Sequence, residues 1–161
     1  MATLAASTRF ANFDHTRVYF LPTIANSNLT PTRPEITAGT NITGEISDIS
    51  GFTVSGSTID TPDLLSEFVS KIPGRTSSED SSLSFYADVE GVDARALFPY
   101  RATGYIVFMD GGDVPGNKMD VFPVQVNANS KSRSVGEEAA KIMVGFAVTR
   151  EPAFDLTVPA A

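Results

Sequence analysis

Apolar and polar residues alternate along several segments of this chain, and Gly and Pro residues separate these segments. The alternation is clearest in residues 100–109 (YRATGYIVFM) and 119–127 (MDVFPVQVN), which flank an Asp-Gly-Gly-Asp turn. Period-two alternation is typical of a strand with one buried face, and a Gly-containing turn between two such runs predicts a β-hairpin. Because Pro123 has no backbone N–H, we expect it at an edge or a bulge.

The same pattern predicts a mainly β fold for a single domain spanning residues 1–161. A phase slip at Ser50-Gly51 predicts a bulge or bend, and residues 92–98 predict one short helix that Pro99 limits. The total is about seven strands, packed as a β-sandwich or an open barrel with extended arms and loops. Further predicted strands lie at residues 15–21, 45–59, 83–88, 142–149 and 154–158, with a short one around Ile36.

Residues 58–88 form a connection that is long for a compact domain, where such segments are usually functional or disordered. Apolar residues within it recur at helical spacing, and Ile72-Pro73-Gly74 then ends any helix and turns the chain back. Two interpretations stay open: a local helix that covers the domain's own core, or an arm buried on a neighbouring subunit. We interpret residues 60–80 as an inter-strand assembly loop whose candidate contact residues are Leu64, Leu65, Phe68, Ile72, Pro73 and Gly74.

The N-terminal residues 1–14 lack clean periodicity and predict an extended arm, which Phe10 and Phe13 would anchor on a neighbouring surface. These residues contain no basic region followed by an apolar run, so we expect no secretory signal. No apolar run reaches the roughly 20 residues that span a bilayer, so we expect no membrane partner.

The composition argues against ordinary nucleic-acid binding, because the net charge is -7 and such binding depends on Lys and Arg. An acidic surface is compatible with letting nucleic acid pass without sticking. The chain has no cysteine, which excludes disulfides and thiolate chemistry.

No pattern in the sequence predicts an active site. His15 is the one histidine, and neither a G-x-S-x-G elbow nor a Gly-rich phosphate loop occurs. Asp110, Asp113 and Asp120 lack calcium-loop spacing and are ordinary turn residues. We therefore expect no catalytic residue, no metal and no cofactor.

Four segments together resemble the major tail tube proteins of long-tailed, non-contractile bacteriophages. They are GFTVSGSTIDTPDLLSEFVSKIPGRTSSEDSSLSFYAD, VDARALF, YIVFMDGG and KIMVGFAVTREPAFDLTVPA, so the resemblance extends from about Asp48 to Ala161. It implies a β-sandwich with a flanking helix, hexameric rings stacked into a hollow tube, and a lumen through which DNA leaves the capsid. The long loop and the terminal arms would bridge subunits.

The resemblance also implies partners and a location. The partners are other copies of the chain, the tape measure, tail terminator and distal tail proteins, and double-stranded DNA that passes without specific binding. The protein would be assembled in the host bacterial cytoplasm and reside in the virion tail. Candidate acidic residues facing the lumen are Asp48, Glu90, Asp110 and Asp120.

Two other classes of function stay open. One is another virion β-sandwich, such as a tail terminator, a head–tail connector or a capsid decoration protein. The other is a carbohydrate-binding or adhesion module, which the lack of Trp disfavours.

Overall fold

A computed structural model describes residues 2–160 of the chain. The fold is mainly β, with 44% of the residues in strands and 8% in helices, which confirms the predicted class. The strands are β1 (Arg17–Leu21), β2 (Thr40–Asn41), β3 (Ile46–Ser50), β4 (Val54–Thr61), β5 (Ser70–Ser78), β6 (Ser81–Tyr86), β7 (Thr103–Met109), β8 (Lys118–Ser132), β9 (Lys141–Val148) and β10 (Ala153–Thr157). The helices are α1 (Arg33–Ala38), α2 (Ala94–Leu97) and a 3-10 helix at Thr43–Glu45.

The chain divides into two compact units. The first unit comprises the residues up to Gly44, Gly104–Phe122 and the residues from Pro152 on, and the second comprises Glu45–Thr103 and Pro123–Glu151. Strand β8 is divided between the units, with residues 118–122 in the first and residues 123–132 in the second. In the first unit the strand order is β2-β1-β7-β8, and β10 also pairs with β8. In the second unit the order is β8-β9-β6-β3, and β4 pairs with β5 as a separate two-stranded sheet.

The first unit has an apolar core between its sheet and α1. Leu21, Val107, Met109 and Val121 come from the strands, and Ile36 comes from the helix. These side chains are buried because strand alternation directs them to one side, as the sequence pattern predicts.

Helix α1 corrects the sequence prediction, which placed a loop up to Pro34 and a short strand around Ile36. Pro34 lies in the first turn, where a missing N–H costs no helical hydrogen bond. The Glu35 carboxylate accepts hydrogen bonds from the backbone N–H groups of Thr32 (2.7 Å) and Ala25 (2.8 Å). These bonds lower the pKa of Glu35, because they favour its charged form.

The second unit has an aromatic core. The Phe98 ring lies 5.5 Å from the Phe85 ring and 5.3 Å from the Phe146 ring, measured between centroids. Asp93 caps the N-terminus of helix α2, and its carboxylate accepts from the Arg95 N–H at 3.0 Å. This helix confirms the prediction for residues 92–98.

Pro123 lies inside β8, where the strand changes partner. Val121 pairs with β10 and Val124 pairs with β9, so Pro123 falls between the two pairings. The Pro123 carbonyl accepts from the Thr149 N–H at 3.0 Å, and the proline has no N–H with which to return a bond.

The 58–88 segment does not form the predicted helix or a simple loop. Most of it is the β4–β5 hairpin, followed by β6, so the chain has more strands than the sequence pattern indicated. Ile72, Pro73 and Gly74 lie within β5 rather than in a turn, and the turn of the hairpin lies at Leu64-Leu65. The helical spacing of the apolar residues reflects a hairpin tip, which spacing alone does not distinguish from a helical turn.

Candidate assembly surface

The β4–β5 hairpin has no buried residue among those of its two strands. Its tip, residues 62–69, is likewise exposed, and Leu64 (106%), Leu65 (100%) and Phe68 (78%) present nearly their whole side chains to solvent. An isolated two-stranded hairpin is marginally stable in water. Contiguous exposed apolar residues on such an element are typical of a binding surface.

Local hydrogen bonds shape the tip of the hairpin. The Asp63 carboxylate accepts from the Leu65 N–H at 2.8 Å, and the Ser66 hydroxyl accepts from the Phe68 N–H at 3.1 Å. Such side-chain bonds to the nearby backbone are the usual way in which Asp and Ser stabilise turns. They hold the leucines and Phe68 on the outside of the turn.

Cross-strand pairs extend the apolar surface down the hairpin. Ile59 lies directly opposite Ile72, and both are about half exposed. Val69, the last residue of the tip, is also exposed. The structure thus adds Ile59 and Val69 to the predicted contact residues, and their position opposite or beside those residues in a hairpin is the signal that would have identified them.

The neck of the hairpin, which we define as Gly51, Phe52 and Ser81, connects the hairpin to the rest of the second unit. Gly51 has φ +78°, and a Cβ at this position would lie 2.5 Å from the Asp80 carbonyl oxygen, so only glycine fits without a shift. Strand β3 thus ends at the position of the predicted phase slip, and Gly51 and Phe52 both have positive φ there. The buried Ser81 hydroxyl accepts from the Phe52 N–H at 2.9 Å, and the Phe52 ring lies 6.1 Å from that of Phe146.

The local structure explains why β5 contains a proline and a glycine. Pro73 pairs with Thr58 on a strand whose described pairing is with β4, and proline is tolerated on such an edge. Gly74 lies at a bulge, where an added Cβ would collide with the Ser57 hydroxyl. Both residues therefore shape the hairpin instead of ending it.

The residues of the predicted N-terminal arm that the structure describes form no strand and are exposed. Phe13 is largely exposed, whereas Phe10 is half exposed and its ring lies 5.8 Å from that of His15. Phe10 also lines an open cavity of about 320 Å³ in the first unit.

Two of the four acidic candidates lie at that same cavity. Asp110 and Asp120 line it together with Asp155, whose N–H donates to the Asp120 carboxylate at 2.9 Å. Partial burial, opposed by this bond, raises the pKa of Asp120, and the charges of Asp110 and Asp155 add to the effect. Asp48 and Glu90 belong to the second unit, where both are exposed.

The comparison with protein families identifies the family of this chain. The family described as phage tail tube protein matches residues 5–161. The chain belongs to the phage tail tube protein family. It is thus a structural component of the virion tail. No protein with curated annotation matches the sequence.

Solved structures with a similar fold come from a contractile injection system, an anti-feeding prophage and the tail of a GTA particle. One is a chain in the cryo-EM structure of the PVC sheath/tube terminator of an extracellular contractile injection system, in its extended state. It has a TM-score of 0.64 and 12% identity, with 92% of this chain and 99% of that chain covered.

Two further similar chains come from 6-fold symmetric assemblies. A chain in the anti-feeding prophage baseplate has a TM-score of 0.58 and 12% identity, covering 99% of this chain and 100% of that chain. A chain in the tail of an empty GTA particle has a TM-score of 0.53 and 11% identity, covering 90% and 98%. At these identities the similarity shows the fold.

Metal-ligand clusters and membrane-spanning helices are absent from the described part of this tail tube family member. Across residues 2–160, no cluster of three or more His, Asp or Glu side chains is arranged to hold a metal ion. Within the same residues, no helix is long and apolar enough to cross a membrane. The β4–β5 hairpin is thus the most prominent candidate for a functional surface.

Proposed function

We propose that this protein is the tube subunit of a long, non-contractile phage tail, which forms hexameric rings that stack into a hollow conduit for DNA ejection. The observation that carries the proposal is the β4–β5 hairpin, which exposes Leu64, Leu65 and Phe68 while none of its strand residues is buried. Family membership and the 6-fold symmetry of two assemblies that contain similar folds support it.

In this proposal the hairpin packs on another copy of the chain. Burying apolar surface contributes about 25 cal/mol per Å², so several fully exposed large side chains are a substantial driving force. The N-terminal arm, with Phe10 and Phe13, is proposed as a second contact. Asp48, Glu90, Asp110 and Asp120 are proposed to face the lumen, where negative charge repels phosphate and lets DNA slide.

Electron microscopy of the purified protein at high concentration tests the proposal. We expect hollow tubes of uniform width. The variant Leu64→Ser/Leu65→Ser/Phe68→Ser is expected to abolish the tubes and to keep the circular dichroism spectrum, since these side chains stabilise no other described part of the chain. The matched control is Val89→Ser/Val92→Ser/Val135→Ser, because these valines are also fully or largely exposed but lie outside the hairpin.

Tubes that persist in the hairpin variant would contradict the role of the hairpin. The tail type is tested on virions, where a bare tube without a sheath is expected.

A second candidate is a tail terminator, which the similarity to a chain in the PVC sheath/tube terminator structure favours. A terminator closes the end of a tube, so it would form isolated rings that do not stack. Single rings at every protein concentration and salt would therefore support the terminator, and tubes would exclude it.

A further inference from the structure

The register of the hairpin assigns each of its strand residues to one of two faces. Between the pairs Gly56–Thr76 and Thr58–Pro73, β5 advances by three residues and β4 by two. The extra residue of the bulge is therefore in β5, and β4 alternates regularly along its whole length. Ser57 then lies opposite both Gly74 and Arg75.

The two faces differ in chemistry. The serine face, as we call it, consists of Ser55, Ser57, Ile59, Thr61, Ser70, Ile72, Gly74, Arg75 and Ser77. The opposite face, which we call the ion-pair face, consists of Val54, Gly56, Thr58, Asp60, Lys71, Pro73, Thr76 and Ser78. Asp60 and Lys71 form a 2.6 Å ion pair there.

We propose that the hairpin docks on a second copy of the chain through the serine face, and that the ion-pair face stays in water. This inference rests on the proposed function and specifies its contact. Ile59 and Ile72 form an apolar pair at the centre of the serine face, which continues to the exposed residues of the tip. Hydroxyl side chains surround the pair, and those of Ser57, Thr61 and Ser70 already make hydrogen bonds within the hairpin, which lowers the cost of removing them from water.

The free-energy cost of removing the face from water differs between the two faces. Burying the Asp60–Lys71 pair would remove two charges from water, and the resulting penalty often exceeds the attraction between them. The serine face carries one charged residue, Arg75, so its burial avoids most of that cost.

The charge of the serine face suits a second copy of the chain as the partner. Each chain has a net charge of -7, so two copies repel one another wherever acidic surfaces meet. A nearly uncharged face avoids this repulsion, and its cation Arg75 is attracted to an acidic neighbour.

Cysteine labelling of assembled tubes tests the assignment, because the chain has no native cysteine. Ser77→Cys on the serine face and Thr76→Cys on the ion-pair face are adjacent and both exposed. Ser55→Cys and Thr58→Cys provide a second matched pair on β4. All four variants are labelled with a maleimide as monomers and again as tubes.

We expect all four cysteines to be labelled in monomers. In tubes, Ser77→Cys and Ser55→Cys should lose labelling, whereas Thr76→Cys and Thr58→Cys should keep it. Protection of the ion-pair face instead, or equal labelling of both faces, would overturn the inference while leaving tube assembly established. A failure of the unmodified chain to form tubes would instead count against the proposed function, so the two failures are distinguishable.

Discussion

Ser81 links the hairpin to the rest of the second unit through a buried hydroxyl. The side chain accepts from the Phe52 N–H and donates to the Glu79 carbonyl at 3.2 Å, and the residue is 3% exposed. Ser81→Ala removes both bonds at a site that water does not reach. We expect the free energy of unfolding to fall by about 1–3 kcal/mol, the usual penalty for a buried polar group that loses its partner.

Urea denaturation of the monomeric chain measures this effect. Ser50→Ala is the control, because Ser50 is exposed, and it should change stability by no more than about 0.5 kcal/mol. Equal unfolding midpoints for the two variants would show that the Ser81 hydroxyl does not stabilise the neck.

Asp120 makes the stability of the first unit depend on pH. Its pKa is raised, chiefly by partial burial and also by the charges of Asp110 and Asp155. A raised carboxyl pKa means that protonation stabilises the folded chain. This contribution is fully present below the unfolded pKa of about 4 and is lost as the pH rises through the raised value.

Asp120→Asn should therefore be more stable than the native chain at pH 7, by roughly 0.2–1 kcal/mol for a partly exposed group. The amide oxygen can still accept from the Asp155 N–H, so the bond is retained. The difference should vanish below the carboxyl pKa, as measured by urea denaturation across the pH range. Asp48→Asn removes one charge from an exposed site and is the control, and an equal gain there would mean that net charge alone is responsible.

At the level of elements, strands with a strong apolar pattern were predictable. β7, β8 and β9 contain β-branched and aromatic runs that are largely buried, so burial and local preference agree. β9 buries alternate residues, whereas β7 and β8 also bury consecutive ones, such as Ile106-Val107 and residues 121–124. The turn between β7 and β8 was predictable from its Gly and Asp residues. Helix α2 was predictable from the Ala and Leu residues that precede Pro99.

Elements with weak or ambiguous patterns were predicted wrongly. Helix α1 buries Ile36 as its one fully buried residue, so its apolar periodicity is short and Pro34 looked like a helix breaker. Thr32 and Glu35, at capping-box spacing, were the signal that would have identified its start.

The second strand of the hairpin, β5, escaped prediction for a different reason, whereas β4 overlaps the strand predicted at residues 45–59. Strand patterns arise from burial on one face, but no strand residue of β4 or β5 is buried within this chain. We therefore interpret its apolar residues as contacts to another molecule, namely a second copy of the chain. Sequence alone could identify the segment as a contact candidate, but the pairing of Ile59 with Ile72 required the register.

The net charge of -7 opposes association of the whole molecule with its copies, whereas the apolar tip favours it. Salt separates the two effects. The Debye length falls from about 10 Å at 0.1 M salt to about 3 Å at 1 M, which weakens repulsion between exposed charges and leaves apolar contacts intact. We therefore expect added salt to accelerate tube formation and to lower the protein concentration that it requires.

Light scattering measures the rate, and microscopy confirms that the scattering particles are tubes. The Leu64→Ser/Leu65→Ser/Phe68→Ser variant has the same net charge but lacks the apolar tip, so its scattering should stay at the monomer level at every salt concentration. If salt instead slowed assembly of the native chain, attraction between charges such as Arg75 and an acidic neighbour would have to dominate the contact. The apolar residues of the hairpin would then determine where the copies meet but not how strongly they associate.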